Sequence, residues 1–93
     1  MNNKEWIDGF VDAVITMNKF GGIGRPETFE VAIFGSIVVI DWVDSYGYHN
    51  GEPYEKRRSE AKNSAELTHA QLAEWITSCQ EEAISREYQN FEV

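Results

Sequence analysis

Cysteine occurs once in this 93-residue chain, proline twice, and basic residues are half as numerous as acidic ones, eight Lys and Arg against sixteen Asp and Glu. The lone Cys79 cannot close an internal disulfide, and a small domain without disulfides fits a reducing compartment. The longest aliphatic run, Ile37-Val38-Val39-Ile40, is far short of the ~20 residues that span a bilayer. The opening residues lack the basic-then-apolar pattern of a secretory signal. These absences predict a soluble, cytoplasmic protein with no membrane association. The shortage of Lys and Arg, with a net charge of −8, disfavours direct nucleic-acid binding, which needs cations to neutralise phosphates.

What is present argues for one folded domain. A hydrophobic content of 42% with 13% aromatics is too high for a disordered acidic tail, whose signature is low hydrophobicity. Residues 4–20 carry a helical period: Trp6, Phe10, Val14 and Met17 recur on one stripe, widened by Ile7 and Val11. Gly21-Gly22 should end that helix, with Gly24 and Pro26 extending the break. From Thr28 the period becomes two, and Gly35-Ser36 suits a type II′ hairpin turn. Strands are expected at about 28–34 and 37–45, with Ile33 facing Val38, Val31 facing Ile40 and Phe29 facing Trp42.

The same register sets Glu30 directly across from Asp41 on a second face that also carries Phe34, Ile37, Val39 and Val43. Asn50-Gly51, a strong hairpin dipeptide, should return 53–58 as an edge strand, with Tyr46 near Glu55 and Asp44 near Arg57. Pro53 lacks a ladder donor and confines that strand to an edge. The rival reading makes 46–54 a loop and starts a helix near Glu55. Residues 59–67 read as a polar approach, itself compatible with helix. Thr68 and Gln71 form a capping box opening a helix over about 68–88, whose buried stripe is Leu72, Trp75, Ile76, Cys79 and Ala83, continued loosely by Tyr88. The fold class is α+β, with two helices on one sheet face.

Chemistry is scarce. Gly21-Gly22-Ile23-Gly24 follows a helix instead of opening one, so it is a helix stop and not a phosphate cradle. Gly35-Ser36 lacks the second glycine and the strand-to-helix setting of a nucleophile elbow. Cys79 sits on an apolar stripe, and His49 and His69 match no zinc or calcium spacing. No catalytic, cofactor-binding or metal-binding residue is assigned, and the chain is expected not to be an enzyme. Glu30 and Asp41 should be solvated, bridged by Arg25 or Lys19, or met by a partner's cation.

Charge distribution then becomes the functional signal. Residues 1–55 sum to −6, residues 56–62 to +3 and residues 63–93 to −5. Glu5, Asp8 and Asp12 recur at helical spacing, as do Glu74 and Glu81. With Glu30 and Asp41, they form a candidate acidic surface for a basic nucleic-acid-handling protein or complex, where long-range fields speed association. Lys56, Arg57 and Arg58 are the contrasting basic segment, read as solvated or internally paired unless an acidic partner meets them. Tyr46, Tyr48 and Tyr54 cluster around the second turn as a binding surface or as the closed end of a core. Phe34, Ile37, Val39 and Val43 are candidate interface residues for a homodimer.

In size, acidity and want of motifs the chain resembles, as a class, phage-encoded inhibitors, including anti-CRISPR and anti-restriction proteins. The resemblance implies inhibition by occupying a basic nucleic-acid-binding surface in a host cytoplasm. It rests on no diagnostic motif, so no functional residue is carried over. The alternative is a small oligomeric accessory or structural subunit using the mixed sheet face. A double-stranded-RNA-binding domain shares the element order, but its basic helices are acidic here.

Overall fold

The computed structural model describes residues 3–91 as two helices over a three-stranded antiparallel sheet, an α+β domain measuring 49 × 29 × 17 Å. Helix α1 spans Asn3–Met17 and stops before the glycines. Phe20 and Ile23 form a short antiparallel bridge around Gly21 and Gly22, both at positive φ, so the helix ends three residues before the expected 20. The buried stripe is also rotated by one residue from the expected one. Ile7, Val11 and Ile15 fill the core, while Met17 lies 82% exposed. Trp6 and Phe10 flank that stripe, stacked at 5.5 Å between ring centroids, with His69 4.9 and 5.5 Å from the two rings. The branched aliphatics fit the narrow seam, and the aromatics close its rim.

Strands β1 (Glu30–Phe34) and β2 (Ile37–His49) pair with Glu30 opposite Asp41, Val31 opposite Ile40 and Ile33 opposite Val38, as expected. Gly35 alone takes positive φ at their turn, the signature of type II′. The second turn has positive φ at both Asn50 (51°) and Gly51 (81°), as type I′ requires. It pairs β2 with β3 (Glu52–Asn63), with Tyr46 opposite Glu55. Central β2 leaves β3 at an edge, where Pro53 costs no ladder bond.

Two expectations fail in this region. A bulge between Val43 and Ser45 pairs Arg57 with Val43, so Asp44 does not face Arg57. Asp44 turns instead to the second helix, its Oδ1 3.3 Å from Arg86 Nε. Residues 59–67 are not a helical approach, because β3 continues to Asn63 and is followed by one 3-10 turn, Ser64–Glu66. That stretch offers no apolar stripe for a helix to bury, whereas an exposed edge strand tolerates polar residues on both faces. The backbone N–H and hydroxyl of Ser64 both donate to Ser36 O, at 2.8 and 2.7 Å, fastening the end of β3 to the first turn.

Helix α2, His69–Phe91, opens with the expected capping box. Thr68 N–H donates to Gln71 Oε1 (2.9 Å) and Gln71 N–H to Thr68 Oγ1 (3.1 Å). Leu72, Trp75, Ile76, Cys79 and Ala83 are buried against Ile33, Val38, Ile40 and Trp42 in one core shared with α1. Tyr88 does not continue that stripe and is exposed. Among these apolar neighbours lies Gln80, 0% exposed, a residue the hydrophobic pattern passes over. The two N–H groups of its Nε2 are shared among the carbonyls of Ile15 (3.1 Å), Asn18 (2.8 Å) and Gly24. The last turn of α1 and the glycine segment are thereby bound to α2, and carbonyls orphaned by the helix end receive a donor.

Candidate protein-binding surfaces

Both helices pack on one face of the sheet, so the opposite face is open. Opposed carboxylates on a strand pair repel, and Glu30 and Asp41 need a cation between them. Arg57 supplies it from β3. Its Nη2 lies 2.6 Å from Asp41 Oδ1 and 3.7 Å from Glu30 Oε2, and its Nη1 lies 3.2 Å from Glu55 Oε2. Nη2 also donates to Thr28 O at 2.7 Å. The hydrogen bond to Asp41, above all, raises the Arg57 pKa beyond its already high value. Arg25, expected as the bridge, instead pairs with Asp12 at 2.7 Å. Lys19 makes no ion pair among the described residues. Arg57 is legible as the bridge only once β3 is in register, because it sits diagonal to Asp41, which faces Ser59.

The other arginines are similarly engaged. Arg58 approaches Glu82 at 3.9 Å, and Arg86 contacts both Asp44 (3.3 Å) and Glu82 (3.5 Å). Of the basic segment, Lys56 and Lys62 are exposed and make no ion pair among the described residues. The acidic helical positions fare differently. Glu5, Asp8, Glu74 and Glu81 are exposed on the outer helical layer, and none of the four arginines pairs with them. Glu74 and Glu81 border a shallow groove along α2 with Gln71, Thr77 and Ser78.

Apolar surface gathers in two places. Phe34 is 66% exposed at the end of β1, beside exposed Ile37 and half-buried Val39. Val43, placed with them by alternation, is only 2% exposed. The bulge and the Thr28 segment cover it, its N–H donating to Thr28 Oγ1 at 3.2 Å. What little of its surface remains lines a cleft beside that segment, so Val43 is no part of the open sheet face. The second place is the outer half of the β2–β3 ribbon, where Tyr46, Tyr48 and Tyr54 are all exposed and none closes the core. The Tyr54 side chain passes close over Gly47, where an added Cβ would come within 2.9 Å of two ring carbons and the hydroxyl oxygen. A larger residue at 47 would displace the Tyr54 ring from this position.

Cys79 is 1% exposed, and burial, with a smaller contribution from Glu60, pushes its thiol up to about 12, leaving negligible thiolate at neutral pH. Among the described residues, no three His, Cys, Asp or Glu side chains converge to hold a metal ion. No described helix is long and apolar enough to cross a membrane. In comparisons with known proteins, no family model, no curated protein and no solved structure matches the chain.

Proposed function

We infer that this is a non-enzymatic, acidic protein-binding inhibitor that occupies a basic nucleic-acid-binding surface, as phage-type anti-CRISPR and anti-restriction proteins do. One observation carries this reading: the four arginines are engaged in internal ion pairs with other carboxylates, while Glu5, Asp8, Glu74 and Glu81 stay exposed on the helical layer and pair with none of them. Internal pairing keeps the arginines from masking these acidic positions. The charge left over is ordered on rigid helices, with Glu5 and Asp8 separated by roughly 4.5 Å of rise on α1 and Glu74 and Glu81 by roughly 10.5 Å on α2. Asp12, paired with Arg25, is a secondary member of this face, as are Glu30 and Asp41, which share the single cation of Arg57 with Glu55.

The test is capture from a host lysate followed by competition. Wild-type protein should retain nucleic-acid-processing machinery, duplex DNA should displace it, and retention should fall as salt rises. A variant carrying Glu5→Gln, Asp8→Asn, Glu74→Gln and Glu81→Gln should fold normally and lose the partner. Capture that DNA cannot displace, or binding unchanged in the neutralised variant, would sink the reading. A second reading, an oligomeric accessory subunit, is favoured by exposed Phe34 and Ile37 on the open sheet face.

A further inference from the structure

Where the tyrosine-bearing ribbon leaves the body, a cleft of about 150 Å³ lies between the last turns of α2, the Thr28 segment and β2. Its walls are Glu27, Thr28, Val43, Tyr46, Glu87 and Asn90. A cavity of this volume is the size that admits one benzene-like group. Val43 contributes an apolar wall, Tyr46 an exposed aromatic ring, and Glu27 and Glu87 two carboxylates that make no ion pair among the described residues. Glu87 Oε1 accepts the Thr28 N–H at 3.3 Å, which fixes the carboxylate at the wall and leaves lone pairs unused. The neighbouring Arg57 does not reverse the local sign, because Asp41, Glu30 and Glu55 surround it.

An aromatic ring, a short apolar surface and fixed carboxylates around one small cavity are what a guanidinium on an aliphatic stem requires. The plane stacks on the ring, its fork pairs with a carboxylate, and the methylenes cover the apolar wall. An anion would be repelled by Glu27 and Glu87, and a wholly apolar group would leave both without compensation. We propose that this cleft is an arginine-side-chain receptor, seating one arginine of the basic partner at the junction of the ribbon and α2. The partner's identity rests on the proposed function, but the cleft itself can be tested without the partner.

The experiment is amide NMR of the labelled protein titrated with Nα-acetyl-arginine amide, a single positive charge, against Nα-acetyl-citrulline amide, its neutral isostere. Saturable shifts centred on the amides of Thr28, Val43 and Tyr46 are expected for the arginine compound and not for the citrulline one. Glu87→Gln, and separately Tyr46→Ala, should weaken that binding about three- to fivefold, and Glu66→Gln, exposed in the 3-10 turn outside the cleft, should not change it. Equal shifts with citrulline, shifts confined to the acidic helices, or no saturation would overturn the receptor, whatever the lysate captures. If arginine amide binds but no nucleic-acid machinery is captured, the receptor stands and the proposed function falls. If a captured target binds the Tyr46→Ala, Glu87→Gln double variant as tightly as wild type, the cleft does not seat that partner's arginine.

Discussion

Two buried side chains show how single residues set the limits of this fold. Gln80 holds three backbone carbonyls from inside the core, and replacing it with Leu keeps comparable volume while deleting the donor. The carbonyls of Ile15, Asn18 and Gly24 would then lack that partner, at a cost of about 2 kcal/mol, or roughly 8–16 °C in a domain of this size. A thermal melt of Gln80→Leu within about 2 °C of wild type would show that water replaces the amide without loss. Cys79 makes a pH-dependent contribution whose sign follows from its thiol being pushed up to about 12 in the folded state. Below the ordinary thiol range both states keep the proton. Above it the unfolded chain ionises and the folded one does not, so stability falls by about 1.4 kcal/mol per pH unit from about pH 9 towards pH 12. Cys79→Ala costs core packing at neutral pH but loses this slope, so its deficit against wild type should narrow as urea denaturation is repeated up that range. A deficit constant with pH would show that the thiol ionises without hindrance.

At the level of elements, legibility tracks how local the determining interaction is. Both hairpin turns, the β1–β2 register and the α2 capping box are readable because each is specified within a few adjacent residues. The bulge at Val43 is not, since nothing in the alternation of β2 marks where it takes an extra residue. That one residue moves Asp44 towards α2, buries Val43 and brings Arg57 diagonally onto Asp41, so the error in the expected ion pairs is a register error. Gln80 is hidden for a related reason: a polar residue between Cys79 and Ala83 reads as an interruption until the carbonyls it serves are in place. The Arg57 knot itself can be weighed by a double-mutant cycle. Arg57→Met should cost about 1–2 kcal/mol, because it leaves Glu30 and Asp41 opposed without a cation on a partly exposed face. The same change in an Asp41→Asn background should cost about 1 kcal/mol less, and additivity within a few tenths would assign the loss to packing alone.

For the whole molecule, the charge of −8 and the open apolar corner at Phe34 and Ile37 pull association in opposite directions. Two copies meeting through Phe34, Ile37 and Val39 bring like-charged bodies together, so added salt, which shortens the Debye length from about 10 Å at 0.1 M to about 3 Å at 1 M, should strengthen self-association. A basic partner held by the acidic helical layer should respond with the reverse sign, losing affinity over the same range. Salt dependence therefore separates the two readings whatever the partner is. Sedimentation velocity of wild type beside Phe34→Glu and Val39→Glu, at low and at high salt, makes the comparison directly. An apolar interface predicts a larger species that grows with salt in wild type and vanishes in both variants, with their melting temperatures confirming that they remain folded. A wild-type chain that stays monomeric at every salt concentration excludes the sheet face as a self-interface, leaving Phe34 exposed for some other contact and the acidic layer as the surface with a consistent physical account.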